Sequence, residues 1–354
     1  MCTMTRIQNN QIRSIRPKIG VVASALMTLA GVAVASGATA SSNVHTIKNA
    51  ITADTALTGS ITVDAALTTQ GGAGFANAFK LIYPNIKVTM VTAGTGSLET
   101  QLSAQQQTGH IEADVVLFAD PTDMDTIAAK GILGSWKPSL KGRRVPANYS
   151  GKDWVGAFTF ETVMVEHPGM ANPPQKWSDL TSTALKGQLA IGSASYSGTT
   201  FGWAAELRTL YGWKYFQTLK ANGVRVEQST TTTGTDVASG KVLVGVTLDS
   251  VARSLEAQHA NISVVWPKDG TVPCPATVGI TKGTANTTAA KAFVTWLVSR
   301  QGQIEAAKLG YDAAYFGATP AYPMPKHEKQ LNVNWNRITK FQTSILSDFS
   351  GIFG

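Results

Sequence analysis

The feature that most constrains this chain is an order of elements repeated three times before residue 131: a short apolar strand, a loop of small or hydroxylated residues, then an amphipathic helix. Ser60 to Ala66 (S-I-T-V-D-A-A) predicts the first strand, Leu67 to Gly72 the loop, and Phe75, Ala76, Ala78, Phe79, Leu81 and Ile82 one face of a helix that stops at Tyr83-Pro84. Ile86 to Val91 then feeds Ala93-Gly94-Thr95-Gly96-Ser97 and a helix from Leu98 to Gln107, with Gly109 as its stop. Ala113 to Phe118 feeds Ala119-Asp120-Pro121-Thr122 and a helix over Met124 to Lys130. Strands that alternate with helices pair in parallel beneath helices on both faces, so the expected class is α/β. Ligands of such sheets collect beyond the carboxyl ends of the strands.

The same order recurs at Gln188 to Ile191, where a strand runs into S-A-S-Y-S-G-T-T and a helix marked by Phe201, Ala204, Ala205, Leu207 and Leu210. Ser197, Gly198, Thr199 and Thr200 fall in its first turn, where backbone N–H groups lack intrahelical partners and the macrodipole is positive. Such an end attracts anions, Gly198 lets backbone approach a ligand, and the hydroxyls donate to its oxygens. Simple capping of the helix is the alternative at each of these loops. The G-T-G-S run at 94–97 is not a dinucleotide fingerprint, because Glu99 stands where the third glycine belongs.

Between these regions Leu133 to Tyr149 is irregular, and Arg143-Arg144 is read as a solvated pair. Trp154 to Glu166 predicts a long strand crossing into a second domain. That domain holds Trp177-Ser178-Asp179-Leu180, a helix near 213–222, the strand Val224 to Gln228, a Thr-rich loop from Ser229 to Thr235, a strand Val242 to Thr247, and a helix opened by Asp249. Ile262 to Trp266 and Ala276 to Ile280 are strands expected to recross, and 286–299 is an amphipathic helix. Two lobes follow: 41–157 with 268–354, and 158–267.

Arg6, Arg13, Arg16 and Lys18 precede an uncharged stretch, Ile19 to Ala35, and Ala38-Thr39-Ala40 is a small-x-small processing site; residues 1–40 are expected to be an export signal. Four of the positive charges in the net +8 lie there, leaving about +4 on the remainder. Without a Lys/Arg run, no nucleic-acid partner is expected. Cys2 falls in the signal, so Cys274 has no disulfide partner. Five histidines, His45, His110, His167, His259 and His327, are scattered without ligand spacing, and no nucleophile stands with a base; neither a metal centre, a cofactor nor an enzyme is expected.

Seven segments in order, I-T-V-D-A-A-L-T-T, A-D-V-V-L-F-A-D-P, W-S-D-L with K-G-Q-L-A-I, S-Y-S-G-T-T, D-V-A-S-G-K-V-L-V-G-V-T-L-D, V-V-W-P-K-D-G-T and A-A-K-A-F-V-T-W-L, resemble the extracytoplasmic solute-binding proteins of ABC importers, in the group that binds ferric ion, 2-aminoethylphosphonate, thiamine or polyamines. The resemblance covers roughly residues 60–312. It implies the two-lobed type II periplasmic-binding fold, two crossing strands, a ligand cleft between the lobes, a monomer, an extracytoplasmic location, and membrane permease subunits as partners. Candidate ligand contacts are Thr68, Thr69, Thr95, Ser97 and Asp120 from one lobe and Ser197, Gly198, Thr199, Thr200, Thr233 and Asp249 from the other, with Asp269 and Thr271 near a crossing strand. Tyr196 and Trp154 are aromatic candidates for stacking.

Ferric binders of this group place adjacent tyrosines near the junction that here reads V-T-L-D-S-V-A, and no Tyr-Tyr pair occurs in this chain. A phosphonate or organophosphate-type anion is therefore expected, with Asp120 or Asp249 available to an ammonium group, as 2-aminoethylphosphonate would require. Ferric ion, thiamine and polyamines remain the alternatives within the group, and a ligand sensor for a membrane receptor the alternative outside it.

Overall fold

The computed structural model describes residues 53–141, 149–315 and 324–354. The expected export signal, Arg143-Arg144, Pro320 and Pro323 lie outside the described residues. In the first part of the chain β1 (Gly59–Ala65), β2 (Ile86–Thr92) and β3 (Val115–Phe118) are parallel and ordered β2-β1-β3, and each is followed in turn by α1 (Thr69–Lys80), α2 (Thr95–Gln107) and α3 (Pro121–Ala129). After the long β4 (Trp154–Glu166) the plan repeats. There β5 (Leu189–Gly192), β6 (Arg225–Glu227) and β7 (Val244–Leu248) are parallel in the order β7-β5-β6, with α4 (Gly198–Tyr211), α5 (Trp213–Ala221), α6 (Thr230–Ala238) and α7 (Asp249–Ala257) between and after them. The remaining elements are β8 (Ser263–Val265), β9 (Val272–Ile280), α8 (Thr287–Leu297), α9 (Arg300–Lys308), β10 (Asp312–Ala313), α10 (Trp335–Lys340) and α11 (Gln342–Phe353).

Local chemistry explains most boundaries. Thr68, Asp120, Ser197, Ser229, Ser299 and Asn334 each accept a backbone N–H from the first turn of the helix they precede, and Pro121 follows Asp120 where a missing N–H costs nothing. The Thr-rich stretch predicted as a loop is helix α6: Ser229 caps it, and Thr233 answers its own competing hydroxyl by donating to the Ser229 carbonyl at 3.2 Å. Strand β9 begins four residues earlier than predicted because Pro273 and Pro275 read as breakers. At those positions β9 pairs with β4 alone, β3 joining only from Thr277, so a proline sits where one side has no ladder to lose.

Strands β4 and β9 join the two parallel sets. Strand β4 pairs antiparallel with β9 from Trp154 to Thr162 and with β7 from Thr162 to Glu166, so it changes neighbours at Thr162. It is buried to Val165, which is why its sequence is apolar without alternation. Helices cover both faces. Leu98, Leu102, Phe118, Met124 and Ile127 fill one layer, Val237, Ala252 and Ile262 another, and a larger cluster runs from Phe75 and Phe293 through β4 to Trp177 and Trp203. The C-terminal helices reach across: Thr339 and Gln342 hydrogen-bond Thr122 and Thr126 of α3, while Phe349 and Phe353 pack on Phe216 of α5 at 6.0 and 6.4 Å.

Phe75 is 1% exposed and stacks on Phe158 at 5.4 Å and on Tyr311 at 5.8 Å, so it ties α1 to β4 and to the segment after α9. Phe75→Ala is expected to lower the unfolding free energy by about 3–5 kcal/mol in urea titrations. Leu81→Ala, at a side chain 68% exposed, should stay within about 0.5 kcal/mol.

Candidate functional site

A parallel strand followed by a helix delivers that helix's N-terminus to the carboxyl edge of the sheet. Five helices do so around one space here. The first turns of α1, α2, α4, α6 and α7 line a cavity of about 280 Å³, through Thr68 and Thr69, Gly94 and Thr95, Ser197 to Thr199, Ser229 to Thr231, and Ser250 with Val251. Among its lining residues there is no Lys, Arg, His, Asp or Glu. Each helix end carries roughly half a positive charge, so the five ends contribute positive potential to the cavity although no side chain lining it is charged. Tyr311 enters from beyond α9, shares a hydrogen bond with Thr68, and has its hydroxyl pushed above the usual range by burial.

The two halves meet around this cavity. The Gly96 N–H donates to the Tyr196 carbonyl at 3.1 Å, joining the start of α2 to the loop before α4. A Cβ on Gly94 would lie 2.2 Å from the Tyr196 ring, one on Gly96 2.1 Å from the Ser195 carbonyl oxygen, and one on Gly198 2.0 Å from Asp120 Oδ2. All three distances are impossible for a real side chain, so the glycines set how closely the halves approach. On the opposite flank Ser254 Oγ donates to Gln70 Oε1 at 3.4 Å, linking α7 to α1.

Of the residues proposed from the sequence, Thr68, Thr69, Thr95, Ser197, Gly198 and Thr199 line the cavity together. Ser97 is exposed on α2, away from it. Asp120 is fully buried beneath Gly198; Oδ1 accepts the Asp123 N–H at 2.8 Å, and Oδ2 has no partner. Thr200 turns its hydroxyl toward Gly192, and Thr233 packs its methyl on Gly245, so both are buried behind the lining. Asp249 stands between the lining residues Leu248 and Ser250 and accepts the Ser250 N–H at 2.7 Å. Asp269 accepts the Tyr211 hydroxyl at 2.8 Å and the Trp177 N–H, and Thr271 donates to Glu161 at 2.6 Å; both brace the region beside β4 rather than the cavity. Tyr196 lines the cavity, whereas Trp154 is core, donating to Asp125 at 2.7 Å.

Ser229, Thr230, Thr231, Ser250, Phe160 and Tyr311 were not singled out from the sequence. For Ser229 the signal existed: a serine before a threonine run is an N-cap. For Tyr311 none did, since it reaches the cavity through the packing of α9.

Behind the cavity, where β4 changes neighbours, three carboxyls gather. Glu161 is 1% exposed and receives Thr271 and Gln330; burial, then Asp312 and Asp249, raises it well above the usual carboxylate range. Burial and the nearby Asp312 raise Asp249 to about 7, and burial raises Asp64 on β1 to about 6.

A family model described as bacterial extracellular solute-binding protein matches residues 65–304. Among solved structures, the periplasmic binding protein AfuA from Actinobacillus pleuropneumoniae, titled with fructose-6-phosphate bound, superposes with a TM-score of 0.73 at 22% identity over 83% of this chain and 98% of that one. A periplasmic thiamin binding protein gives 0.71 at 16% over 86% and 99%, and iron-bound HitA from Pseudomonas aeruginosa 0.70 at 19% over 82% and 99%. An uncharacterized protein of Haemophilus influenzae is 26% identical over 260 residues, 68% of this chain and 73% of its own length.

Two outcomes follow from the geometry. Gly96→Val should keep the halves from reaching the present distance, read as a larger radius of gyration by X-ray scattering than the parent protein shows at the same ligand concentration; an unchanged radius would contradict the close-approach role. Carboxyls titrate at ~4 when unfolded, so between ~4 and ~7 the folded protein holds more protons than the unfolded chain and loses stability as pH rises. Tm should therefore fall from pH 5 to pH 8, and Asp249→Asn should flatten part of that slope.

Proposed function

This chain belongs to the bacterial extracellular solute-binding proteins, the family that captures solutes for ABC importers, and from that premise we propose that it takes up a small phosphonate or organophosphate-type anion between two lobes and hands it to the importer's membrane permease. The family and its structural neighbours are binding proteins of transport, not enzymes, and their fold is the type II periplasmic-binding fold. One observation carries the anion reading: five helix N-termini and a ring of neutral hydroxyls enclose a cavity without a charged side chain. Phosphoryl and phosphonyl oxygens are acceptors at several angles at once, and hydroxyls and backbone N–H groups are donors.

Ferric ion fits poorly. The lining offers no carboxylate or imidazole, and Tyr311, buried and bonded to Thr68, resists ionisation to a phenolate. A polyamine would bring several ammonium groups against the positive helix ends with no carboxylate in the lining itself. 2-Aminoethylphosphonate belongs to the proposed class, its phosphonate at the helix ends and its ammonium toward Asp249, whose neighbours line the cavity.

In this reading the lobes divide near residues 157 and 268, with α10 and α11 reaching from the first lobe onto the second, and β4 and β9 carry the motion. Ligand contacts on both lobes favour closure, because only the closed form makes all of them. The protein acts as a monomer after export through residues 1–40.

A thermal-shift screen of phosphonates, phosphate esters, amino acids, polyamines, thiamine and ferric salts tests the reading. A ligand at ~100 times its dissociation constant adds about 2.7 kcal/mol, so the largest rise should come from a phosphorus-containing anion. A response to ferric salts alone would overturn it. Thr199→Ala, which removes a lining hydroxyl, should weaken binding about 5–10-fold, while Thr200→Ala, behind the lining, should change it less than about twofold.

A further inference from the structure

A second cavity of about 630 Å³ lies beside the first. Thr68, Thr231, Ser250, Val251 and Tyr311 border both, so the two spaces adjoin across these side chains. Both halves of the molecule build it: Gln70 and Gly71 from the start of α1, Ser254, Leu255 and Gln258 from α7 and its end, and Lys308 to Gly310 from the end of α9. The Ser254–Gln70 hydrogen bond spans it.

Its walls mix the two ends of helices: the starts of α1, α6 and α7 reach it through Gln70, Thr231 and Ser250, and the ends of α7 and α9 through Gln258 and Lys308, so the opposite helix-end charges offset one another. Lys308 is the one cation among its lining residues, and its ammonium is engaged at 2.8 Å by Glu305. What the walls do offer is neutral: the amides of Gln70 and Gln258 and the hydroxyl of Ser254 donate and accept, while Val251, Leu255 and Leu309 form an apolar side. A hydroxylated carbon skeleton satisfies both kinds of wall. Size agrees, since organic ligands occupy sites of roughly 300–1,000 Å³ and the second cavity, at about 630 Å³, falls within that range.

We propose that the ligand is bipartite: a phosphoryl or phosphonyl head at the five helix N-termini, and an uncharged polyhydroxylated substituent that passes between Thr68, Ser250 and Tyr311 into the second cavity. The inference rests on the anion reading of the smaller cavity and adds the chemistry of the remainder of the ligand.

Isothermal titration with six probes tests it: inorganic phosphate and methylphosphonate as heads alone, glycerol 3-phosphate and a hexose 6-phosphate with polyol substituents, butyl phosphate with an apolar one, and 2-aminoethylphosphonate with a cationic one. A polyol phosphate should bind at least about tenfold more tightly than phosphate, butyl phosphate or 2-aminoethylphosphonate, the scale of two net hydrogen bonds. Ser254→Trp, which fills the second cavity, and the double variant Gln70→Ala with Gln258→Ala, which removes its amides without adding bulk, should each bring the ratio of polyol-phosphate to phosphate affinity toward one, with Tm confirming that they fold. Equal binding of heads and polyol phosphates, tighter binding of the butyl or aminoethyl compound, or a ratio that neither variant moves would overturn the bipartite ligand while leaving the anion site standing. No binding of any probe, inorganic phosphate included, would overturn the anion site itself.

Discussion

Five helices end their N-termini on one small volume, and the rest of the architecture can be understood as what it takes to bring them there. Every α-helix leaves its first four N–H groups without intrahelical partners, and each end carries roughly half a positive charge. On a parallel sheet all such ends emerge on the carboxyl edge, so two parallel sets facing one another, β2-β1-β3 and β7-β5-β6, aim theirs at a shared gap. The hydroxyls at Thr68, Ser197 and Ser229 cap their own helices by accepting N–H groups, and each also pairs with a neighbouring hydroxyl, of Tyr311, Thr199 and Thr232 respectively. Helix ends and neutral hydroxyls together line the gap without a lysine or arginine.

Bringing two sets of helix ends so close is a steric problem before it is an electrostatic one. Gly94, Gly96 and Gly198 solve it by removing the side chains that would collide with Tyr196, Ser195 and Asp120. The G-T-G-S run at 94–97, which fails as a dinucleotide fingerprint, is in three dimensions part of a contact surface between halves. The halves join along β4, which changes partner from β9 to β7 at Thr162, next to Glu161. The carboxyls at that junction, the buried Glu161 and Asp249 and the half-buried Asp312, are costly to ionise, which makes the region's energy sensitive to protonation.

The neighbours named above share this backbone at 16 to 22% identity while their titles name a sugar phosphate, thiamin and iron. Fold therefore positions the helix ends, and the side chains placed on them choose the solute. In this chain those side chains are uncharged hydroxyls, with a second chamber of amide, hydroxyl and apolar walls beside them.

Much of this was legible in the linear order of residues. Strand–loop–helix periodicity yields the α/β class, the apolar run Trp154 to Glu166 yields the strand shared by both halves with its bounds intact, and five hydroxyls and a glycine at helix starts mark residues that do line the cavity. Periodicity and capping are local, so sequence alone determines them. Which capped ends face a common space was decided only by the tertiary structure: Thr200 and Thr233 share the local signature of Thr199 but point into the protein, and Tyr311 reaches the cavity from beyond α9 with no local signature at all. The direction of a side chain depends on the helix's rotation against its neighbours, and that rotation is set by contacts between residues far apart in the chain.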